Sequence, residues 1–201
     1  MNKNWKSHFE IENKELSRPA ATLTKALSLI YQSYLIDKTA VDLGCGAGAD
    51  TYALLKSGWN VLAIDNSQDA IDKISDKTSG FDDLPLKLKL SSFESLKSLP
   101  KVNLVNATFS LPFCRPEKFF DFWKLIEESI NTEGYFAGHF FGTDDDWSVK
   151  KEMTFLDRAA VEKLFENFQV GVIKEVNEVG KTVANTQKHW HVFHVVARKK
   201  A

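Results

Sequence analysis

Between Val41 and Thr51 the chain reads VDLGCGAGADT, and no other stretch narrows the possible folds as much. Thr39 to Leu43 have the make-up of a short buried strand that must stop at Gly44. Gly44, Gly46 and Gly48 then allow a turn whose backbone can come close to a ligand. Ala49 to Lys56 continue as a helix with its N-terminus aimed at the same place. A strand, a glycine turn and a helix N-terminus in succession make a cradle for a nucleotide-like ligand.

The remaining chain alternates short apolar strands with amphipathic helices, which predicts a doubly wound α/β sheet in three layers, α/β/α. Pro19 can open a helix to about Tyr34, with Leu23, Ala26, Leu27 and Ile30 on one face. After the glycine turn, Asn60 to Ile64 form a second strand ending at Asp65, and Ser67 caps a helix with Ala70, Ile71 and Ile74 inward. Leu86–Leu90 and Val102–Ala107 are the third and fourth strands. Pro116 to Asn131 is an amphipathic helix carrying Phe119, Phe120, Trp123, Leu125 and Ile126. Gly134–Phe141 is a fifth strand, Asp157 caps a helix to about Phe165, and Val170–Val176 and Trp190–Arg198 are the sixth and seventh. Two strands in succession at the end form a hairpin, so the last should run antiparallel.

At 201 residues, 43% hydrophobic and 26% charged, the expectation is one globular domain over residues 1–201, with 1–35 as a helical cap over the cleft. With 26 basic against 27 acidic residues, charge gives no case for general binding to nucleic acid or an anionic membrane. The N-terminus lacks an apolar signal core and no apolar run reaches spanning length, so the reading is cytoplasmic. Cys45 and Cys114 form no metal or disulfide framework.

The ligand is narrowed by charge. Gly44, Gly46 and Ala49 also satisfy the loose dinucleotide pattern, but a pyrophosphate on the helix N-terminus would oppose Asp42 and Asp50. S-adenosylmethionine (SAM) has no phosphate and carries an ammonium and a sulfonium, so an acidic surround suits it. The run DLGCGAG here resembles the first motif of the class I SAM-dependent methyltransferases, and AVDLGCGAGADTYALLKSGWNVLAIDNS is most similar to the small tellurite-resistance and thiopurine type. Seven strands ending in a hairpin extend the resemblance over nearly the whole chain from about Pro19.

The resemblance implies a Rossmann-like fold, SAM as cofactor, S-adenosylhomocysteine (SAH) as product, and site residues at the carboxyl ends of the parallel strands. Asp42, Gly44, Cys45 and Gly46 would form the cradle, Asp65 would accept from the ribose hydroxyls, and Asn66 would pack on the adenine. Where the family often has an acid for the adenine amino group this chain has Ser91, Ser92 and Phe93, with Ser92 as acceptor and Phe93 as apolar contact. Asn106 would line the methionine and methyl region, and Arg18 could reach the methionine carboxylate.

Methyl transfer needs alignment and water exclusion, and a base only where the acceptor must lose a proton. His139, His189 and His191 are the candidate bases, at the rim formed by the end of strand five and the start of strand seven. Asp144, Asp145 and Asp146 suggest a magnesium-dependent variant, but they read better as a solvated loop or helix cap, and no metal is expected. The aromatics Trp5, Phe9, Tyr31, Tyr34, Phe109, Phe113, Phe141 and Trp147 flank the cleft as core, lid or acceptor wall. The leading reading is SAM-dependent methylation of a small-molecule nucleophile by a monomer or homodimer. Two alternatives stay open: a non-catalytic SAM-binding module and a nicotinamide-dependent oxidoreductase.

Overall fold

The computed structural model describes residues 18–31, 37–81, 83–182 and 184–201. In chain order the elements are α1 (Ala21–Tyr31), β1 (Thr39–Leu43), α2 (Ala49–Lys56), β2 (Asn60–Asp65), α3 (Gln68–Thr78), β3 (Leu86–Leu90), β4 (Val102–Ala107), α4 (Pro116–Ser129), β5 (Ile130–Phe141), α5 (Arg158–Leu164), β6 (Phe168–Lys181) and β7 (Gln187–Lys199). The sheet has seven strands in the order β3-β2-β1-β4-β5-β7-β6. β1 pairs in parallel with β2 on one side and β4 on the other, so the chain reverses its direction of winding at β1. In such sheets the crevice beyond the carboxyl ends at that reversal is where ligands bind. β7 runs antiparallel to both β5 and β6, as a terminal hairpin requires.

The two faces of the sheet are covered differently. One face packs Leu23, Ala26 and Ile30 of α1 and Tyr52, Leu54 and Leu55 of α2 against Ala40, Leu104, Ala137 and Val196. Its opposite is an aromatic layer in which Trp123 of α4 lies edge-on to Phe136 and Phe165, both 5.1 Å away between ring centres. Edge-on packing sets a positive ring edge against a negative face, adding about 0.5–1.5 kcal/mol per pair beyond area burial. Helix α4 thus buries Phe119, Phe122, Trp123 and Ile126, the i, i+3, i+4, i+7 positions of one stripe.

Three expectations shift. α4 stops at Ser129 instead of Asn131, because Ile130 already pairs with Val102 as the first residue of β5. Phe120 lies off the buried stripe and is 61% exposed. The closing hairpin is longer than its apolar stretches indicate: β6 and β7 stay paired out to Lys181 and Gln187, where the sequence is mostly polar. Most of the expected cap over residues 1–35 lies outside the described residues, as do Trp5, Phe9 and Tyr34. Within it, Arg18 is exposed and α1 packs on β5 and β7. No helix among the described residues is long and apolar enough to cross a membrane.

Candidate functional site

The glycine turn is stitched to the second strand before it reaches any ligand. The N–H groups of Gly44 and Cys45 both donate to the Ile64 carbonyl, at 2.7 and 3.1 Å. Gly44 holds φ +71°, and a Cβ there would come within 2.4 Å of the Ser110 Cβ, so the β4 loop can close over the turn only where no side chain intervenes. Gly46, at φ +50°, differs: a Cβ there would meet no protein atom within 4 Å. Its N–H donates to Oδ2 of Asp65 at 2.9 Å while Ser67 N–H donates to Oδ1 at 2.9 Å. The Asp65 carboxylate is held between two backbone donors at the end of β2, leaving its remaining lone pairs for a ligand.

Behind the turn lies a buried acid network. Asn106 on β4 donates through Nδ2 to Oδ1 of Asp42 at 2.8 Å and to Oδ2 of Asp50 at 2.9 Å. Thr51 donates to the other Asp42 oxygen at 2.6 Å, and Ala20 N–H to the other Asp50 oxygen at 2.8 Å. β1, α2, β4 and the residue before α1 thus meet at two buried carboxylates. Burial, then repulsion from Asp50, pushes the Asp42 carboxyl up to about 7, against the pull of the Thr51 and Asn106 hydrogen bonds. Burial beside these acids also pushes the Cys45 thiol well above its ordinary range, so it is no nucleophile.

Above the turn is a cleft of about 280 Å³ lined by Gly44, Asp65, Asn66, Ser91, Phe93, Glu94, Phe109, Ser110 and Phe113. Gly44, Asp65, Asn66 and Phe93 were expected there. Asp42, Cys45 and Asn106 are instead buried beneath it, where Asn106 cannot line a methyl region because its amide is spent on the two carboxylates. Ser92 also gives way: its hydroxyl bonds Ser95 in a short 3-10 turn (Phe93–Ser95), and that turn brings Ser91 and Glu94 to the wall. Glu94 is therefore a carboxylate near the third strand that position-by-position reading misses, displaced by the tight turn. Ser110 was missed as well. Its Oγ is buried without a hydrogen-bond partner at the cleft wall, the mark of a polar atom awaiting a ligand. Arg18 is exposed, two residues before the Ala20 bond to Asp50.

The histidine expectations need correction. His139 is buried, its Nδ1 accepts the Phe109 N–H at 3.1 Å, and its Nε2 meets His194 Nδ1 at 2.9 Å. Both ring nitrogens are engaged, and burial followed by repulsion from His194 holds its pKa down to about 3, so it is no base at neutral pH. His191 is buried on the opposite sheet face, between Asp144 N–H at 3.1 Å and Glu175 Oε1 at 2.9 Å. His189 shares that face, with its Nε2 on Asn177 at 2.5 Å. The alternation was read properly, but the face carrying His139 and Phe109 is that of Trp190 and His194.

On that face the Phe109 ring stacks on His139 at 4.0 Å and stands edge-on to Phe141 and Trp190. Nearby, buried Lys188 pairs with buried Asp145 and lies 3.5 Å over the Trp190 ring and 4.5 Å over Trp147. Asp146 accepts the His189 N–H and Asp144 the Asn177 amide, so the three adjacent acids diverge. No group of three or more potential metal-ligating side chains occurs among the described residues.

Residues 40–134 match a family described as a methyltransferase domain. No curated protein sequence matches the chain. Among solved structures, TehB from Haemophilus influenzae superposes with a TM-score of 0.74 at 17% identity, over 88% of this chain and 62% of TehB, so this chain spans under two thirds of that protein's length. The 1,6-didemethyltoxoflavin-N1-methyltransferase of Burkholderia thailandensis, solved with 1,6-didemethyltoxoflavin and SAH, gives 0.64 at 14% over 90% and 79%. The N-methyltransferase NodS of Bradyrhizobium japonicum with SAH gives 0.66 at 13% over 89% and 86%. The glycine turn and the strand order agree with the methyltransferase-domain match over residues 40–134, and the chain shares the fold of these solved methyltransferases.

Proposed function

We propose that the protein transfers the methyl group of SAM to a small-molecule nucleophile and releases SAH. The observation that carries this is the charge of the cleft: its wall contains Asp65 and Glu94, and among the described residues no lysine or arginine lines it. That surround opposes a pyrophosphate and favours a cationic, phosphate-free adenosyl compound. Asp65 and Asn66 would hold the ribose and adenine end with Phe93 and Glu94, and Gly44, Gly46 and the unpaired Ser110 hydroxyl would face the amino-acid end. Arg18 remains our candidate for the carboxylate. When bound, SAM supplies a methyl carbon made electrophilic by the sulfonium, which the acceptor's lone pair takes while sulfur keeps the electron pair of the broken bond.

The chain's own part is to bind, align and keep out water. The relatives solved with SAH or with a small acceptor support this reading. It also takes the protein to be one domain, a cytoplasmic monomer or homodimer without a nucleic-acid partner. Titration calorimetry with SAH against NAD+ and NADP+ tests it: SAH binds, the dinucleotides do not, and Asp65→Ala weakens SAH at least tenfold. Tighter binding of a dinucleotide would overturn the reading. Binding of SAH without transfer of labelled methyl to any thiol, amine, hydroxyl or metalloid acceptor would reduce the protein to a SAM-binding module.

A further inference from the structure

Phe109, His139 and His194 form a chain of hydrogen bonds with only one possible direction. It starts at a backbone amide, and the Phe109 N–H donates to His139 Nδ1 at 3.1 Å. An amide proton is not lost near neutral pH, so Nδ1 must accept and the ring proton must sit on Nε2. That Nε2–H faces His194 Nδ1 at 2.9 Å, so His194 Nδ1 must accept in its turn and its own proton sits on Nε2. Nothing among the described residues accepts from that last N–H. Neither ring escapes by charging. His139 is buried in an apolar setting, and His194 is lowered by burial and then by Lys174, its cross-strand neighbour on β6.

The position of the chain matters. Phe109, 43% exposed and at φ +48°, lines the cleft with its ring lying on His139. His194 stands edge-on beside it at 6.3 Å, and Trp190 at 6.5 Å. From this geometry we infer that the acceptor side of the cleft offers an aromatic platform flanked by a fixed hydrogen-bond donor, the His194 Nε2–H, and no base.

This rests on the methyltransferase reading and narrows its substrate. The acceptor is a flat nucleophile whose attacking atom carries a lone pair and no proton, such as an aromatic ring nitrogen. The lone pair forms the new bond to the methyl carbon, the pair of the broken carbon–sulfur bond stays on sulfur, and no proton has to leave. Hydroxyl acceptors, which must give one up, find among the described residues beside Phe109 no group to take it, since Asp65 and Glu94 serve the ribose and adenine end. His194 orients the acceptor by donating to a second lone-pair atom, away from the attacking one, and His139 holds Phe109 in place.

Long-range proton–nitrogen spectra of the full chain labelled with 15N-histidine read the tautomers directly. Both imidazoles should carry their proton on Nε2 at pH 7.5, and His139 should remain so at pH 5.5; a proton on either Nδ1 overturns the inference. 4-Acetylpyridine and 4-hydroxyacetophenone each carry a carbonyl that can accept from His194, and only the second must lose a proton at the attacking atom. The pyridine should be methylated, with its KM raised about fivefold by His194→Ala at little change in kcat, as loss of one hydrogen bond implies. His194→Asn, which keeps an N–H, should restore most of it. No transfer to the pyridine removes the acceptor assignment. Methylation of the phenol with an acid limb that vanishes in His194→Asn makes His194 a base and overturns the whole. SAH affinity, measured in parallel, separates the two levels: if the tautomers are as stated but SAH does not bind, the methyltransferase reading fails and the polarised chain stands.

Discussion

Asp42 offers the sharpest test, because a buried carboxyl pushed up to about 7 must write itself into the pH dependence of stability. Between its unfolded value near 3.8 and about 7, the folded chain binds a proton that the unfolded chain does not. Its contribution is therefore fully present below the unfolded value and lost as pH rises through the folded one. A three-unit shift amounts to about 4 kcal/mol in full, of which about 2–3 kcal/mol falls between pH 5 and pH 8. Asp42→Asn keeps the shape and removes the titration. Thr51 can reorient its hydroxyl, and one amide oxygen still accepts from Asn106. Urea unfolding at both pH values should show the variant gaining about 2–3 kcal/mol on the wild type from pH 5 to pH 8, roughly 1 M in midpoint. Taking the difference between the two proteins cancels the titrating groups that do not interact with Asp42, His139 included, and leaves Asp42 together with its coupled neighbour Asp50. Parallel curves would show that Asp42 is ionised in the folded protein across this range, and the picture of two crowded carboxylates beneath the turn would be wrong.

The remaining predictions concern the turn, the wall and its support. Gly44→Ala sets a Cβ 2.4 Å from the Ser110 Cβ at φ +71°, and should cost about 2–4 kcal/mol from strain and overpacking, read as a lower thermal midpoint with weakened SAH binding. Lys188→Met leaves the buried Asp145 carboxylate with only the Trp147 and His191 N–H groups and no cation, and should cost about 3–5 kcal/mol by urea unfolding; Lys188→Met with Asp145→Leu should recover part of it. His139, held low by burial and by His194, contributes stability that is present above its unfolded value near 6.5 and lost as pH falls toward about 3. His139→Leu should therefore lose less stability than the wild type on going from pH 7 to pH 5, which the same unfolding series checks.

Strand and helix positions were legible because each β segment is a short apolar run closed by a glycine, an aspartate or a serine cap. Thr39–Leu43, Asn60–Asp65 and Val102–Ala107 come out as read. The ladder beyond Val176 was not, since its side chains are mostly polar and backbone pairing leaves no mark in composition. The site divides the same way. Gly44 and Asp65 sit where a strand ends, and alternation places them without further help. Asn106 occupies such an end too, but its partners Asp42 and Asp50 are 64 and 56 residues distant, and that separation hides its bridging role. Glu94 and Ser110 depend on tight turns whose geometry alternation cannot supply. The histidine faces failed for a different reason: period two says which residues agree in direction, and only packing of α1 or α4 says which direction faces the cleft.

The long closing hairpin has a mechanical consequence. β5 ends at Phe141 opposite Val192, whereas β6 and β7 continue paired from His191 to Gln187 with no third strand beside them among the described residues. At about 3.3 Å per residue that is an arm of roughly 15 Å rising past the end of the sheet. Asp145 and Asp146 grip it along most of its length, at His191, His189 and Lys188, and only the turn beyond Gln187 lies past that grip. With Lys188 buried against Asp145 and Trp190 packed on Phe141 and Trp147, the arm is a braced extension of the sheet, tied to the loop that holds it.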